Sequence, residues 1–561
     1  MIVGLDMGGT HVDAVLIKDG QIIETVKRTT IREDIFSSIW TTLEALLQDY
    51  DSSHIKRIHL STTVSTNAIV ENKTEPVGMI IQAGPGVRND FSPCGTANFY
   101  ISGYVDHRGI VVDGLKEEEI KQAQQLYQEK GIGSCAIVTK FSTRNPKNEL
   151  RIAHLLGNDF DTITLGHRMS GKLNFPRRVA TSYLNSAVSS TFHNFSHHIK
   201  NSLQQKGIEA PVFILKADGG TMNRETAEER PVETILSGPA ASFMGMSSLL
   251  PTTDDAILLD IGGTTTDIFF LSDGVPLFQP LGAKIGEFKT LVRAIHSVSI
   301  GLGGDSNITI EDNKVVIGPE RAGLPYALGG PRPTPSDAMI FLGLMDVPEN
   351  GTKEKAKEAM TLLGTELSCS IEDVATLILT TMASTIKNKT DQLLKEINSK
   401  PVYTVKELLQ GKKIVPKLVN MIGGPSQALA PFIEAVYNLP CYFPPNYGVA
   451  NAIGAALAKP TMEITLHADT AQGTLTVPEL GIYEKISTDY SLAEAKTRAM
   501  ELLKESAISK GSSAETIESE ITEESSFNMV QGFYTTGKNI RVKAQIKPGQ
   551  LYRLRSNGHE S

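Results

Sequence analysis

The chain has 561 residues, 40% of them hydrophobic and 21% charged, with a formal net charge of −9 and a pI near 5.8. That length exceeds what one ordinary hydrophobic core supports, so two to four domains are expected. The mild acidity argues against a nucleic-acid or anionic-membrane partner.

In chain order, the opening MIVGLDMGGT reads as a strand and a glycine turn, without the basic and apolar regions of a secretory leader. Residues 36–50 and 115–130 have helical patterning, and 134–141 (SCAIVTKF) reads as a buried strand. Residues 181–206 predict a long helix ended by Gly207, and 212–217 a strand running into the turn Asp218-Gly219-Gly220-Thr221. Residues 353–400 are expected to be largely helical, and 448–458 (GVANAIGAALA) to form a small-residue helix suited to a close crossing. Past a boundary near residue 460 come a strand, a helix over 491–510, the polar stretch KGSSAETIESEITEESS and more strand. That pattern predicts a small appended domain. No apolar run approaches bilayer length, and Cys94, Cys135, Cys369 and Cys441 are scattered without a CxxC pair. The expectation is a soluble, cytoplasmic protein whose cysteines are small core hydrophobes, without a disulfide framework or zinc site.

An internal repeat organises the chain. Residues 6–20 read DMGGTHVDAVLIKDG and residues 260–274 read DIGGTTTDIFFLSDG, with seven identities in fifteen positions. Both are an apolar run, an aspartate, a Gly-Gly turn, a second apolar run and an Asp-Gly turn, the pattern of a β-hairpin. A turn without Cβ atoms lets backbone N–H groups approach an anion, the threonine adds a hydroxyl, and the preceding aspartate suits a hydrated divalent cation. Residues 417–431 (KLVNMIGGPSQALAP) add a third such element, an apolar strand whose Gly423-Gly424 turn opens a helix. Two hairpins facing each other would clamp a polyphosphate. In this the pattern resembles the actin/hexokinase/Hsp70 superfamily, which implies duplicated α/β, ribonuclease H-like domains around a nucleotide cleft, followed here by a small C-terminal α+β segment.

Further stretches are specific. STTVSTNAIVENK (61–73), FSTRNPKNELRI (141–152), ADGGTMNRETAEERPVETILSGPAAS (217–242), IGLGGDSNITI (300–310) and PRPTPSDAMIFLG (331–343) resemble the hydantoinase A/5-oxoprolinase family, a likeness running from residue 1 to about 460. It implies an N-terminal domain over 1–180, a hydantoinase A-like domain over 181–460 and the appended domain over 461–561. It further implies an ATP- and Mg²⁺-dependent reaction in which the carbonyl oxygen of a cyclic amide is phosphorylated for ring opening, with a B-type subunit completing the chemistry. Ketone carboxylation on the same fold, a small-molecule kinase and an ATP-driven activator of a partner protein are the alternatives. A homo- or hetero-oligomer is expected. The sequence departs from the family in carrying Asp305 where a GAGGGS-like segment is usual, and in a shorter region after residue 460.

On this reading Gly8, Gly9, Thr10, Gly262, Gly263 and Thr264 hold phosphates. His11, Thr265, Gly423, Gly424 and Ser426 complete the nucleotide site, and Asp6 and Asp260 orient Mg²⁺. Asp13 and Asp267 either brace the hairpins or act as a base. Thr63, Thr66, Asn67, Asp218, Gly304, Asp305 and Ser306 are the substrate candidates. Thr63 and Asn67 read equally as helix-capping residues, and Asp305 as a turn-stabilising side chain. His193, His197 and His198 are read as a solvated or partly packed helix face, and Arg177 and Arg178 as surface partners of acids or, less often, contacts to an anion.

Overall fold

The computed structural model describes residues 1–9, 11–31, 35–87, 90–348, 351–399, 413–514 and 517–555. The chain divides into two compact units of mixed α/β structure. The first is built from Met1–Ala240, Gln279–Ala294 and Ala455–Tyr552, the second from Ala241–Phe278 and Ile295–Gly454.

The first unit contains a six-stranded sheet in the order Thr221–Asn223, Val212–Leu215, Arg57–Thr62, Ile2–Met7, His11–Lys18, Gln21–Thr29. Its three central strands, Val212–Leu215, Arg57–Thr62 and Ile2–Met7, are parallel, so their C-terminal ends share one edge of the sheet. Alternation sends Val3, Leu5 and Met7 to one face, where they pack with Ile39, Leu43, Phe192 and Ile199. The helix Phe175–Gln205 supplies the last two. It starts six residues earlier than its apolar pattern predicts, because Asn174 accepts from the Arg177 N–H and Pro176 fits the first turn. Its first half packs through Val179 and Ala187 on a second, four-stranded sheet containing Val77–Gln82 and Ser134–Thr139.

Residues 463–546 of the same unit form a five-stranded antiparallel sheet with the helix Leu492–Ser509, which opens on a Ser491/Glu494 capping box. Leu466, Val477, Leu503 and Val542 fill its core. The second half of the polar stretch, residues 519–526, is here part of the strand Ser519–Gln531, paired with Tyr534–Ile546. Its acids face cations across the ladder, with Glu523 3.4 Å from Arg541 and Glu520 3.8 Å from Lys547.

In the second unit the sheet runs Val275–Pro276, Thr266–Ser272, Ala256–Ile261, Leu418–Ile422, Cys441–Tyr442. Ile257, Leu259, Ile268 and Phe270 pack on Val374, Ile378, Met382 and Ile386 of the helix Ile371–Ser399, one apolar stripe at helical spacing. The predicted helical region is two helices, Lys353–Leu367 and Ile371–Ser399, broken where Ser368 adopts φ 55°. The small-residue helix Ala450–Leu457 crosses Ser237–Leu249 tightly, since a Cβ on Gly454 would lie 2.2 Å from the Ala241 carbonyl oxygen.

Candidate functional site

The sequence repeat is a structural repeat. Ile2–Met7 pairs antiparallel with His11–Lys18, placing Asp6 opposite Asp13; Ala256–Ile261 pairs with Thr266–Ser272, placing Asp260 opposite Asp267. The Gly8 N–H donates to the His11 carbonyl and the Gly262 N–H to the Thr265 carbonyl, each at 2.9 Å. At the far ends Asp19 and Asp273 both adopt φ 50°, the left-handed turn that Asp-Gly favours. Each hairpin also has a parallel neighbour ending in a turn and a helix. Thr63 opens the helix Val64–Val70 in the first unit, and Gly423-Gly424-Pro425 opens Ser426–Tyr437 in the second.

In the second unit several loops converge on the hairpin turn. The Gly304 N–H donates to the Gly262 carbonyl at 2.9 Å and the Asp305 N–H to the Gly263 carbonyl at 2.6 Å. The Gly303 N–H bonds the Ser306 hydroxyl at 2.9 Å, and the Ser306 N–H bonds the Gly303 carbonyl. The donors of this loop are therefore used internally. The Asp305 carboxylate is held by Arg321 at 2.9 Å and by the Ser336 hydroxyl at 3.1 Å, and burial pushes its pKa up despite the arginine. Gly304, Asp305 and Ser306 thus brace the Gly262–Thr264 turn. Thr264 and Thr265 stand exposed on it.

Other backbone donors are left over. Among the described residues, the N–H groups of Gly263, Thr264 and Gly424 have no protein acceptor. A Cβ on Gly9 or Gly424 would meet nothing within 4 Å, and neither residue has a left-handed φ. Neither packing nor backbone conformation requires glycine at these two positions, whereas close approach of an anion would. Gly423 differs: its φ is 94° and a Cβ would lie 2.2 Å from the Ile261 carbonyl oxygen, so the hairpin requires it. Ser426 is buried and turns its hydroxyl to the Ile422 carbonyl, closing the helix start.

The four aspartates separate by partner. Asp260 accepts from the Ser242 hydroxyl at 2.6 Å beside the Gly423 turn. Burial and then the charge of Asp260 push Asp267 up to about 6, with Ser299 opposing. Asp6 is 7% exposed, and its opposite number Asp13 is paired with Lys27 at 2.8 Å. Burial raises the Asp13 pKa and Lys27 offsets part of the rise. No group of three or more His, Cys, Asp or Glu with metal-binding geometry occurs among the described residues. Single carboxylates beside free amides fit Mg²⁺, which is commonly held through water by one or two carboxylates plus the phosphates of its nucleotide. His11 begins the second strand of the first hairpin and is exposed; Thr10 lies outside the described residues.

The substrate candidates of the first unit lie along one sheet edge. Thr63 occupies the N-cap of Val64–Val70 without capping it; its hydroxyl donates to the Met7 carbonyl at 3.2 Å and accepts from the Asn67 amide at 3.2 Å. The Thr66 hydroxyl accepts from the Leu236 N–H at 3.3 Å, and the Ser237 hydroxyl donates to the Thr62 carbonyl at 2.8 Å, so the PVETILSG segment packs directly on these residues. One strand further, Asp218 follows Val212–Leu215. It accepts from the Gly220 N–H at 3.0 Å and lies 3.3 Å from the Lys216 ammonium, which also reaches Glu233 at 3.5 Å. Burial opposes ionisation of Asp218, but Lys216, Arg293 and the Gly220 N–H outweigh it and hold its carboxyl below the usual range. Lys216 and Glu233 are parts of this arrangement that sequence reasoning missed.

Two other expectations, on the arginines and the cysteines, are revised. Among the described residues the Arg177 guanidinium pairs with no acid and donates to the carbonyls of Leu281, Gly282 and Thr290. Arg178 is fully buried, donating to Lys172 and Thr139 carbonyls. Cys369 is exposed, while Cys94 and Cys135 are buried in cores. His193 bonds the Ser189 carbonyl one turn back along its helix.

Residues 2–160 match the hydantoinase/oxoprolinase N-terminal region, and residues 178–464 match hydantoinase/oxoprolinase. Caprolactamase subunit alpha of Pseudomonas jessenii is 25% identical over 383 residues, 61% of this chain and 54% of that protein. Acetophenone carboxylase gamma subunit of Aromatoleum aromaticum is 23% identical over 393 residues, 61% of this chain and 53% of that protein. The chain thus spans about half the length of these two relatives. The crystal structure of the ATP-dependent caprolactamase from Pseudomonas jessenii matches with a TM-score of 0.72 at 18% identity, covering 99% of this chain and 88% of that one. The fold is therefore the same.

Proposed function

Because the chain belongs to the hydantoinase/oxoprolinase family, we propose that it is an ATP-dependent enzyme subunit that activates a cyclic amide for ring opening by phosphorylating its carbonyl oxygen. The observation that carries this reading is the pair of glycines, Gly9 and Gly424, that the fold itself does not require. The ATP dependence of the caprolactamase from Pseudomonas jessenii supports it.

The free amides of Gly263, Thr264 and Gly424 hold the nucleotide with the hydroxyls of Thr264 and Thr265, while Gly262, Gly423 and Ser426 shape the turns. Gly8, Gly9, Thr10 and His11 form the corresponding anion turn of the first unit. Asp260 and Asp6 orient Mg²⁺, which supplies charge neutralisation on the phosphates when bound. Asp13, tied to Lys27, braces its hairpin. Asp267, pushed to about 6, is the better proton acceptor near neutral pH. Thr63, Thr66, Asn67 and Asp218 face the substrate from the edge that also carries Gly8 and Gly9.

An amide nitrogen is a poor leaving group. A phosphoryl group on the oxygen makes the carbon electrophilic. Water adds there, and the protonated ring nitrogen departs with cleavage of the C–N bond to leave an acyl phosphate. A second water attacks its carbonyl carbon, so that the original oxygen departs with phosphate. Positioning and charge stabilisation are all the protein must contribute. A separate B-type chain completes the hydrolysis, and the free thiols suit the cytoplasm. Ketone carboxylation is the second reading, favoured by the match to an acetophenone carboxylase subunit. Oxygen-18 in the substrate carbonyl tests the proposal: turnover with the partner chain should deliver the label into inorganic phosphate. Label retained wholly in the ring-opened product rules out carbonyl phosphorylation.

A further inference from the structure

Within the first unit, a groove of about 410 Å³ lies between the strand Ile482–Lys485 and the helix Leu492–Ser509. Leu475, Ile486 and Ala493 give it an apolar floor. Its charges do not balance. Glu484, Glu494 and Glu501 line it against the single guanidinium of Arg498, which bonds Glu484 at 3.1 Å. Glu494 accepts from the N–H and hydroxyl of Ser491, which carry no charge, and neither Glu494 nor Glu501 makes an ion pair among the described residues. Cations nearby in the chain do not make up the difference. Lys496 bonds Glu524 at 2.7 Å, and Lys485 and Lys504 do not line the groove. The Tyr490 hydroxyl lines it too, and has no hydrogen-bond partner.

One wall is an open sheet edge. Among the described residues Ile482–Lys485 ends its five-stranded sheet and pairs only with Thr474–Val477. The Ile486 N–H bonds the Gly473 carbonyl at 2.9 Å, so antiparallel alternation turns the N–H and C=O groups of Tyr483 and Lys485 away from the sheet. A row of unpaired backbone groups is a template for another extended chain.

We propose that this groove takes an extended, basic segment of a partner protein, which adds a strand beside Ile482–Lys485 and lays its cationic side chains across to Glu494 and Glu501. A lysine suits both surfaces, because its apolar stem covers the floor while its ammonium reaches the carboxylates at the rim. An acidic segment would add charge of the sign already in excess. A second copy of this chain, pairing through the same edge, would set these acids against themselves. The groove shares no residue with the nucleotide turns, and the inference stands whether or not the chain uses ATP.

The test is fluorescence anisotropy on the full chain, without ATP, using two labelled octapeptides, one alternating lysine with threonine and the other glutamate with threonine. The lysine peptide should bind saturably, one per chain, and the glutamate peptide should not bind. Glu494→Gln with Glu501→Gln should weaken the lysine peptide at least tenfold with an unchanged thermal melt, because glutamine keeps the capping box on Ser491. Glu354→Gln with Glu372→Gln removes the same charge from exposed positions of the other unit and should bind as wild type does. N-methylation of one alternate set of peptide amides should abolish binding and methylation of the other set should not, as strand addition requires. The proposal is overturned if neither peptide or both bind, if the Glu494 and Glu501 variant binds unchanged, or if the two methylated peptides bind alike. A chain that sediments as a dimer, and becomes a monomer on adding the lysine peptide, overturns it as well by making a second copy the occupant. Because no step uses ATP, any of these failures leaves the nucleotide reading untouched.

Discussion

Alanine at Gly424 should leave the fold intact and cost the protein its nucleotide. The methyl group meets no atom within 4 Å and the backbone is not left-handed, so nothing in the folded chain resists it. Alanine at such a site generally stabilises by about 0.4–1 kcal/mol, because the unfolded chain loses freedom. A phosphate or ribose oxygen bound to the Gly424 N–H would lie about 2.7–3.2 Å from the nitrogen, where the added methyl crowds it. Overpacking of that kind costs about 1–3 kcal/mol, or roughly a 5- to 150-fold loss of ATP affinity. Gly303→Ala makes the opposite case. Its Cβ would lie 2.5 Å from the Gly263 carbonyl and 2.6 Å from the Thr264 nitrogen, all backbone, so the second unit itself should lose about 1–3 kcal/mol. Denaturant titration and calorimetric titration with a non-hydrolysable ATP analogue, run on both variants and on Gly9→Ala, separate the two effects. The reasoning is refuted if Gly424→Ala binds nucleotide as wild type does, or if Gly303→Ala is as stable as wild type.

Other expected outcomes rest on buried groups of the first unit. Glu149 is fully buried and accepts from the Thr139 N–H at 2.8 Å, the His167 N–H at 2.8 Å and the His167 ring at 2.6 Å. Glu149→Ala should cost about 3–5 kcal/mol in denaturant titration, since it strands those donors; a loss under 1 kcal/mol contradicts that. Burial lowers His59 to about 4 and His467 to about 3, from an ordinary 6.5. The unfolded chain therefore binds more protons than the folded one below pH 6.5, so the stability from keeping these rings neutral is present above 6.5 and lost as pH falls toward 4. For His59 the loss is on the order of 3 kcal/mol, and an acid titration of His59→Gln should be shallower than that of wild type. In the second unit, Gly454→Val should lower the melting temperature by forcing apart the helices that meet at Gly245 and Gly454; an unchanged melt would deny that the crossing depends on glycine.

Much of the architecture of the two hairpins was legible because it depends on residues with special backbones. Asp-Gly and Gly-Gly turns recur at matching positions, and the register Asp6–Asp13 and Asp260–Asp267 follows from them. The start of the long helix at Phe175 was missed because apolar spacing outweighed the Asn174–Pro176 signal. Residues 519–526 read as part of a polar stretch rather than a strand because their acids are neutralised by cations some twenty residues away along the chain, which periodicity does not report. Lys216 went unnoticed beside Asp218 for a similar reason: its significance lies in Glu233, in Arg293 and in residues near 510, which only the tertiary fold assembles.

The most direct test of the central claim is phosphate release from ATP by the purified chain with Mg²⁺, measured with and without a panel of cyclic amides and ketones. One ring class should stimulate release in the wild type and do nothing in Asp6→Asn or Asp260→Asn. A wild-type chain that neither binds nor hydrolyses ATP, with every panel member and partner chain supplied, would contradict the account.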